Sequence, residues 1–130
     1  MCLQLFVVPA QPGRVSADRL AKVSGLRVKK QNKPVKDALW FSLDGGCSCS
    51  LMSQNADWNA PVWILEPSAL EGLAAAVELL AKEADGLAFQ AYWLGDEPGT
   101  RSRVSLRELV ADVRGNRVKN KHVYLVGAAA

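Results

Sequence analysis

Apolar and polar positions alternate with period two in some stretches of the 130-residue chain and recur at helical spacing in others. Residues 3–8, Leu-Gln-Leu-Phe-Val-Val, predict a first strand, stopped by Pro9 and the Gln11-Pro12-Gly13 turn. Ser16 then caps a short helix to about Ser24, with Leu20 and Val23 as its apolar stripe and Gly25 as its stop. Leu26 and Val28, set among lysines, predict a short exposed strand. Residues 38–43 predict a second strand, in which Trp40 and Phe41 point to opposite faces. Asp44-Gly45-Gly46 makes a turn, and residues 47–52 return as a strand or leave the sheet irregularly.

Residues 53–63 read as a loop containing Trp58 and Trp63. The firmest helical signal follows it. Leu70, Leu73, Ala74, Val77, Leu80, Ala81 and Ala84 share one apolar face, and Ser68-Ala69-Leu70-Glu71 predicts a capping box at its start. Asp85-Gly86 predicts its end. Residues 87–94 form a strand with Leu87, Phe89, Ala91 and Trp93 on one face. A hydrophilic loop, residues 95–103, leads to a second capping box, Ser105 to Glu108. That box opens a helix marked by Leu106, Leu109, Val110 and Val113 and closed near Gly115-Asn116. Residues 121–126 are the final strand. The expected fold is a single α+β domain over residues 1–127, with residues 128–130 as a frayed tail. Its sheet is mixed, with two main amphipathic helices packed on one face, ferredoxin-like in the broad sense. The strand-helix-strand segment 87–126 is a right-handed crossover if its two strands are parallel neighbours.

A chain of this length buries enough surface to fold without a disulfide or metal. No apolar run reaches the roughly 18 residues of a membrane span, and residues 1–9 lack the basic stretch of a secretory signal. Three cysteines do not make a disulfide framework, so a reducing cytoplasm is the expected compartment. The net charge of +3 hides three blocks: residues 1–36 carry +7, residues 37–97 carry −9, and residues 98–130 carry +5. Such blocks either lie side by side as solvated, loosely paired surfaces or form basic patches for an acidic partner or nucleic acid. Trp58 and Trp63, bracketing a loop next to these charges, are the pocket-lining candidates among four tryptophans.

Candidate chemistry centres on Cys47-Ser48-Cys49. In a strand, residues two apart face one way, so the two thiols converge. With Cys2 and the single histidine, His122, they are the only soft-metal or redox ligands in the chain, and together they make the one fourfold set available to zinc. Three chemistries compete: a soft-metal site, a redox pair whose strained closure makes it readily reducible, and small buried hydrophobes. Removal of Met1 would leave Cys2 with an amine beside its thiol, the arrangement of N-terminal nucleophile hydrolases. No Gly-x-Ser-x-Gly elbow or phosphate-binding glycine motif is present, and no enzyme signature is visible. The segment from Gly95 to Arg101 places Asp96, Glu97 and Arg101 after a strand end, where ligand loops often lie.

Three segments together carry a resemblance: Met1-Cys2-Leu3-Gln4-Leu5-Phe6-Val7-Val8, Gly46-Cys47-Ser48-Cys49-Ser50, and the stretch from Ala91-Tyr92-Trp93 through Gly95-Asp96-Glu97 to Ser105-Leu106. They resemble a set of small uncharacterised bacterial proteins that begin Met-Cys and carry Gly-Cys-x-Cys mid-chain. Those proteins also have a late acidic loop before a helix. The resemblance brings no activity with it. It implies only that Cys2 and the Cys-x-Cys pair go together, which favours a shared site.

Overall fold

β1 (Leu3–Pro9) is a central strand of a six-stranded sheet, paired on one side with β5 (Leu87–Trp93) and on the other with β3 (Ala38–Ser42). The computed structural model describes residues 3–33, 35–53, 60–93 and 99–127. Beyond β3 lies the edge strand β2 (Arg27–Gln31). Beyond β5 lie β8 (His122–Val126) and a second edge strand, β6 (Thr100–Arg103). Four of the five strand pairs are antiparallel and only β6–β8 is parallel, so the sheet is mixed. A separate short ladder joins β4 (Val62–Trp63) to β7 (Val118–Lys119).

The period-two pattern sets the two faces of this sheet. Leu3, Leu5 and Val7 of β1, and Leu87, Phe89, Ala91 and Trp93 of β5, point to the side where the helices lie and join the main core. Gln4, Phe6, Gln90 and Tyr92 point the other way and are also buried. On that second face Phe6 stacks on Trp40 at 4.9 Å and meets Tyr92 edge-on at 6.1 Å. The cluster they form contains no helical residue. The α+β class, the mixed sheet and the packing of helices on one face are as expected.

α2 (Pro67–Glu83) lies between α1 (Ala17–Ser24) and α3 (Leu106–Arg114), and its Leu73, Ala74, Val77, Leu80 and Ala81 enter the core. Small residues let the helices approach. A Cβ added at Gly72 would sit 1.9 Å from the Ser24 carbonyl oxygen, so only glycine fits where α1 ends against α2. Ser16 accepts the Arg19 N–H, and Gly25 closes α1 in the left-handed region at φ 71°. Ser105 accepts the Glu108 N–H as the capping box requires. Arg19 pairs with Glu83, and Arg114 pairs with Glu71 and Glu78 at 3.0 and 3.1 Å. At these places the basic and acidic blocks lie side by side.

Several expectations are corrected. α2 starts at Pro67 with Glu66 as N-cap and no side-chain cap bond, so the box expected at Ser68 does not form. Proline suits the first helical position because its missing N–H is not needed there. Val23 is 44% exposed rather than part of a buried stripe. Residues 53–63 include β4, and the hydrophilic stretch before Ser105 includes β6. β5 and β8 are antiparallel, so the parallel strand-helix-strand unit is β6–α3–β8 instead. Trp63 is a core residue at 1% exposure that donates its indole N–H to the Ala91 carbonyl at 3.1 Å and meets Trp93 edge-on. It does not line a surface pocket. Trp58, Asp96, Glu97 and the tail 128–130 fall outside the described residues.

Replacing Gly72 by Ala favours the isolated helix by up to about 1 kcal/mol but drives a methyl into the α1 backbone. The expected net result is a loss of roughly 1–3 kcal/mol, read as a lower denaturant midpoint. A raised midpoint would contradict the close α1–α2 approach.

Candidate functional site

The registered ladder between β1 and β3 covers Phe6 and Val7, opposite Trp40 and Leu39. Past this point β3 runs into the turn of Asp44 and Gly45, which is held by Gly45 N–H donating to Ser42 Oγ and Gly46 N–H donating to Asp44 Oδ1. Leu3 and Leu5 therefore face a gap instead of a strand. Buried backbone groups need partners, and here side chains supply them. Ser48, 1% exposed, reaches the Phe41 carbonyl at 2.6 Å and the Leu5 carbonyl at 3.3 Å, bridging β3 and β1 where they part. Leu3 N–H donates to Cys49 Sγ at 3.0 Å, while the Cys47 thiol lies 3.7 Å from the Leu3 carbonyl.

The chain achieves this with a single 3-10 turn, Ser48–Leu51; of the two expectations for residues 47–52, a returning strand or an irregular departure from the sheet, the strand does not form. Cys47 is its N-cap, extended at φ −72° and ψ 145°, and its Sγ accepts the Cys49 N–H at 3.3 Å. A short polar side chain bonding to a backbone two residues on is ordinary turn chemistry. In this protein a sulfur does it. The consequence is that the Cys47 side chain folds over the turn and the two sulfurs stand 2.9 Å apart. The thiols converge as the strand argument required, by a different local geometry. Cys47 is exposed and Cys49 half-buried. Leu51 and Met52, the next residues, are core and anchor the turn from below. Ser50 Oγ accepts the Leu43 N–H at 2.8 Å and ties the turn to the end of β3.

Cys2 lies outside the described residues; Leu3, which follows it in sequence, is the residue whose N–H meets Cys49. His122 is not brought to the thiols. It opens β8, and β5 separates β8 from β1, which puts about 10 Å of sheet between His122 and Leu3. Its Nε2 and Ser102 Oγ share a hydrogen bond at 2.7 Å, and its ring packs edge-on to Tyr124 at 4.8 Å. Among the described residues, no group of three His, Cys, Asp or Glu side chains is arranged to hold a metal ion.

The His122 neighbourhood is a second polar cluster that the sequence reading missed, because its members are spread over β6, α3, β7 and β8. Tyr124 donates its hydroxyl to Asp112 at 2.9 Å and accepts the Lys119 N–H at 3.0 Å. Burial, with the Asp112 bond added, pushes the Tyr124 hydroxyl well above its usual range, so it stays a donor. Burial pulls His122 below its ordinary value near 6.5; Lys119 adds to this and Asp112 opposes it. Among the described residues, no third group completes a triad with Ser102 and His122.

No protein-family model matches the chain, and no curated protein or solved structure matches it either. No helix among the described residues is long and apolar enough to cross a membrane.

Two predictions follow from these hydrogen bonds. Ser48→Ala leaves the Phe41 carbonyl buried without its donor and is expected to cost roughly 1–3 kcal/mol; chemical denaturation measures it, and an unchanged midpoint would remove Ser48 from this bridging role. The lowered His122 pKa makes the unfolded chain bind more protons between that value and 6.5. Stability should then fall as the pH drops through this window, and His122→Gln should flatten that part of a pH–stability profile.

Proposed function

We propose that the protein is a thiol–disulfide module whose working pair is Cys47 and Cys49. The observation that carries this reading is the 2.9 Å separation of two sulfurs, one of them exposed, at the rim of a rigid sheet. A disulfide bond is about 2.05 Å long, so closure needs only a short approach of the two sulfurs. The chemistry balances with glutathione disulfide as oxidant. The exposed Cys47 thiolate attacks one sulfur and expels glutathione thiolate, and Cys49 then attacks Cys47 and expels the second. The protein loses two electrons and two protons, and the small disulfide gains them. The compartment that suits such a pair is the reducing cytoplasm.

The soft-metal version of the same site adds Cys2 to the pair, in keeping with the resemblance that groups the three thiols, and zinc or a softer ion is its occupant. The donor from Leu3 to Cys49 favours it as a second reading, because it brings the residue after Cys2 against the pair. His122 takes no part in it.

Titration of reduced protein with glutathione disulfide, followed by intact mass, tests the first reading. The expected product is a chain lighter by two hydrogens with Cys47 bonded to Cys49, and Cys49→Ser should stop at a glutathione adduct on Cys47. Elemental analysis of protein purified reduced and without chelator decides for the second reading if it finds one ion per chain, lost in Cys2→Ser. Thiols that neither exchange nor hold metal would return the cysteines to a packing role and sink both.

A further inference from the structure

Among the described residues the outer edge of β2 has no strand partner. β2 pairs only with β3, and its sequence from Arg27 to Lys36 carries Arg27, Lys29, Lys30, Lys33 and Lys36 without one acidic residue. Lys30 is engaged with Asp37 at 3.4 Å. Among the described residues neither Arg27 nor Lys29 has an ion-pair partner. Arg27 stands opposite Ser42 and Lys29 opposite Trp40, so both project on the face of Trp40. A groove of about 310 Å³ runs along this edge, bounded by Arg27, Lys29, Trp40, Ser42 and, at one end, Gly45 and Gly46. Asp18 is the single acid on its wall. Gly46, at that end of the groove, is the residue before Cys47 in the chain. The Trp40 indole N–H is buried and meets no acceptor, an unmet donor beside a strand edge.

We infer that this groove docks an extended, acidic polypeptide along β2 and presents its disulfide to Cys47; the second half rests on the thiol–disulfide reading above. An exposed strand edge offers a row of backbone donors and acceptors that an extended chain can continue. The lysines and arginine that line it repel a second copy of the same edge and attract carboxylates. Nucleic acid is the poorer match. Single strands bind chiefly by stacking bases on open aromatic faces, and on this side of the sheet Phe6 and Tyr92 are buried while Trp40 is stacked on Phe6. Among the described residues of this edge, Arg27 and Lys29 are the exposed charged groups on the Trp40 face, which suits an acidic peptide.

The reaction at the groove's end follows from the roles of the two thiols. Cys47 thiolate attacks one sulfur of the docked peptide's disulfide, whose S–S bond breaks with its electron pair on the other sulfur. Cys49 thiolate then attacks Cys47 and releases the peptide's second sulfur. The peptide ends as a dithiol carrying the two protons that Cys47 and Cys49 gave up, and the protein ends with the Cys47–Cys49 disulfide.

Two readouts on the full chain separate docking from exchange. In the first, a fluorescein-labelled, cysteine-free Glu/Thr peptide about the length of β2 is titrated with protein and followed by anisotropy, beside its Lys/Thr counterpart and an oligothymidine of equal charge. The acidic peptide should bind and the basic one should not. The paired substitutions Arg27→Glu and Lys29→Glu, both at exposed positions, should weaken binding about tenfold or more, and roughly 0.5 M salt should do the same. Equal binding of acidic and basic peptides, or no change in the double variant, would overturn the docking surface. Tighter binding of the oligothymidine would reassign it to nucleic acid. In the second readout, exchange with a disulfide-bearing acidic peptide should slow about tenfold in the double variant while exchange with the uncharged hydroxyethyl disulfide stays unchanged. If wild-type protein reacts with neither disulfide, the thiol reading has failed and the anisotropy result still decides docking. If both disulfides slow alike, delivery to Cys47 is overturned.

Discussion

The parting of β3 from β1 after a short shared ladder leaves the backbone of Leu3 and Leu5, on a buried central strand, facing a gap. Buried amides and carbonyls left without partners cost free energy comparable to a lost hydrogen bond. Cys47, Ser48 and Cys49 fill that gap with three side chains, and the 3-10 turn they begin is held from below by Leu51 and Met52. The thiol pair is thus part of how the sheet satisfies its own backbone. Its geometry is set by β1, β3 and the core together, through the bonds to Leu3, Phe41 and Leu43. Because Cys49 is also the acceptor for Leu3, any chemistry at the pair is felt at the start of the central strand.

The rest of the molecule packs around this rim. β1 pairs with β5 along its whole length, and α2 covers the sheet between α1 and α3. The tight contact at Gly72 draws the end of α1 against α2, and from there the chain passes through Gly25 and Leu26 into β2. One short path therefore connects the helical layer to the basic edge strand. The charge blocks serve different ends along that path. Arg19 and Arg114 are matched by Glu83, Glu71 and Glu78 on α2, exposed pairs that add little stability. Arg27 and Lys29 stand without such partners among the described residues, and they give β2 its positive character. The polar cluster of Asp112, Tyr124 and His122 lies across the sheet and stitches α3 to β8 without touching the thiols.

Legibility in the sequence followed the range of the interactions involved. Ser16, Gly25 and Ser105 act within a few residues of their partners, and the helix ends they predict are where α1 and α3 begin or stop. Leu87, Phe89, Ala91 and Trp93 share a face because strand geometry alone requires it. Ser68 misled because a serine followed by a glutamate three residues on signals a cap whatever lies upstream, and Pro67 was free to start the helix earlier. β6 was hidden because Thr-Arg-Ser-Arg has no apolar alternation; it is a strand through its backbone bonds to β8. Trp63 looked like a loop residue until the β4–β7 ladder placed it under β5.

The sequence by itself determined the class of the fold, the amphipathic faces of its strands and helices, and the presence of two thiols close enough to act together. Each of these depends on residues within a turn or a strand of one another. Only the tertiary structure decided that the thiols meet across a 3-10 turn, that Leu3 is their partner, that His122 lies beyond β5, and that the basic strand begins opposite Ser42. Those facts depend on strand order and on where a ladder stops. Strand order and ladder length come from packing the whole core, and no local pattern of residue types records them.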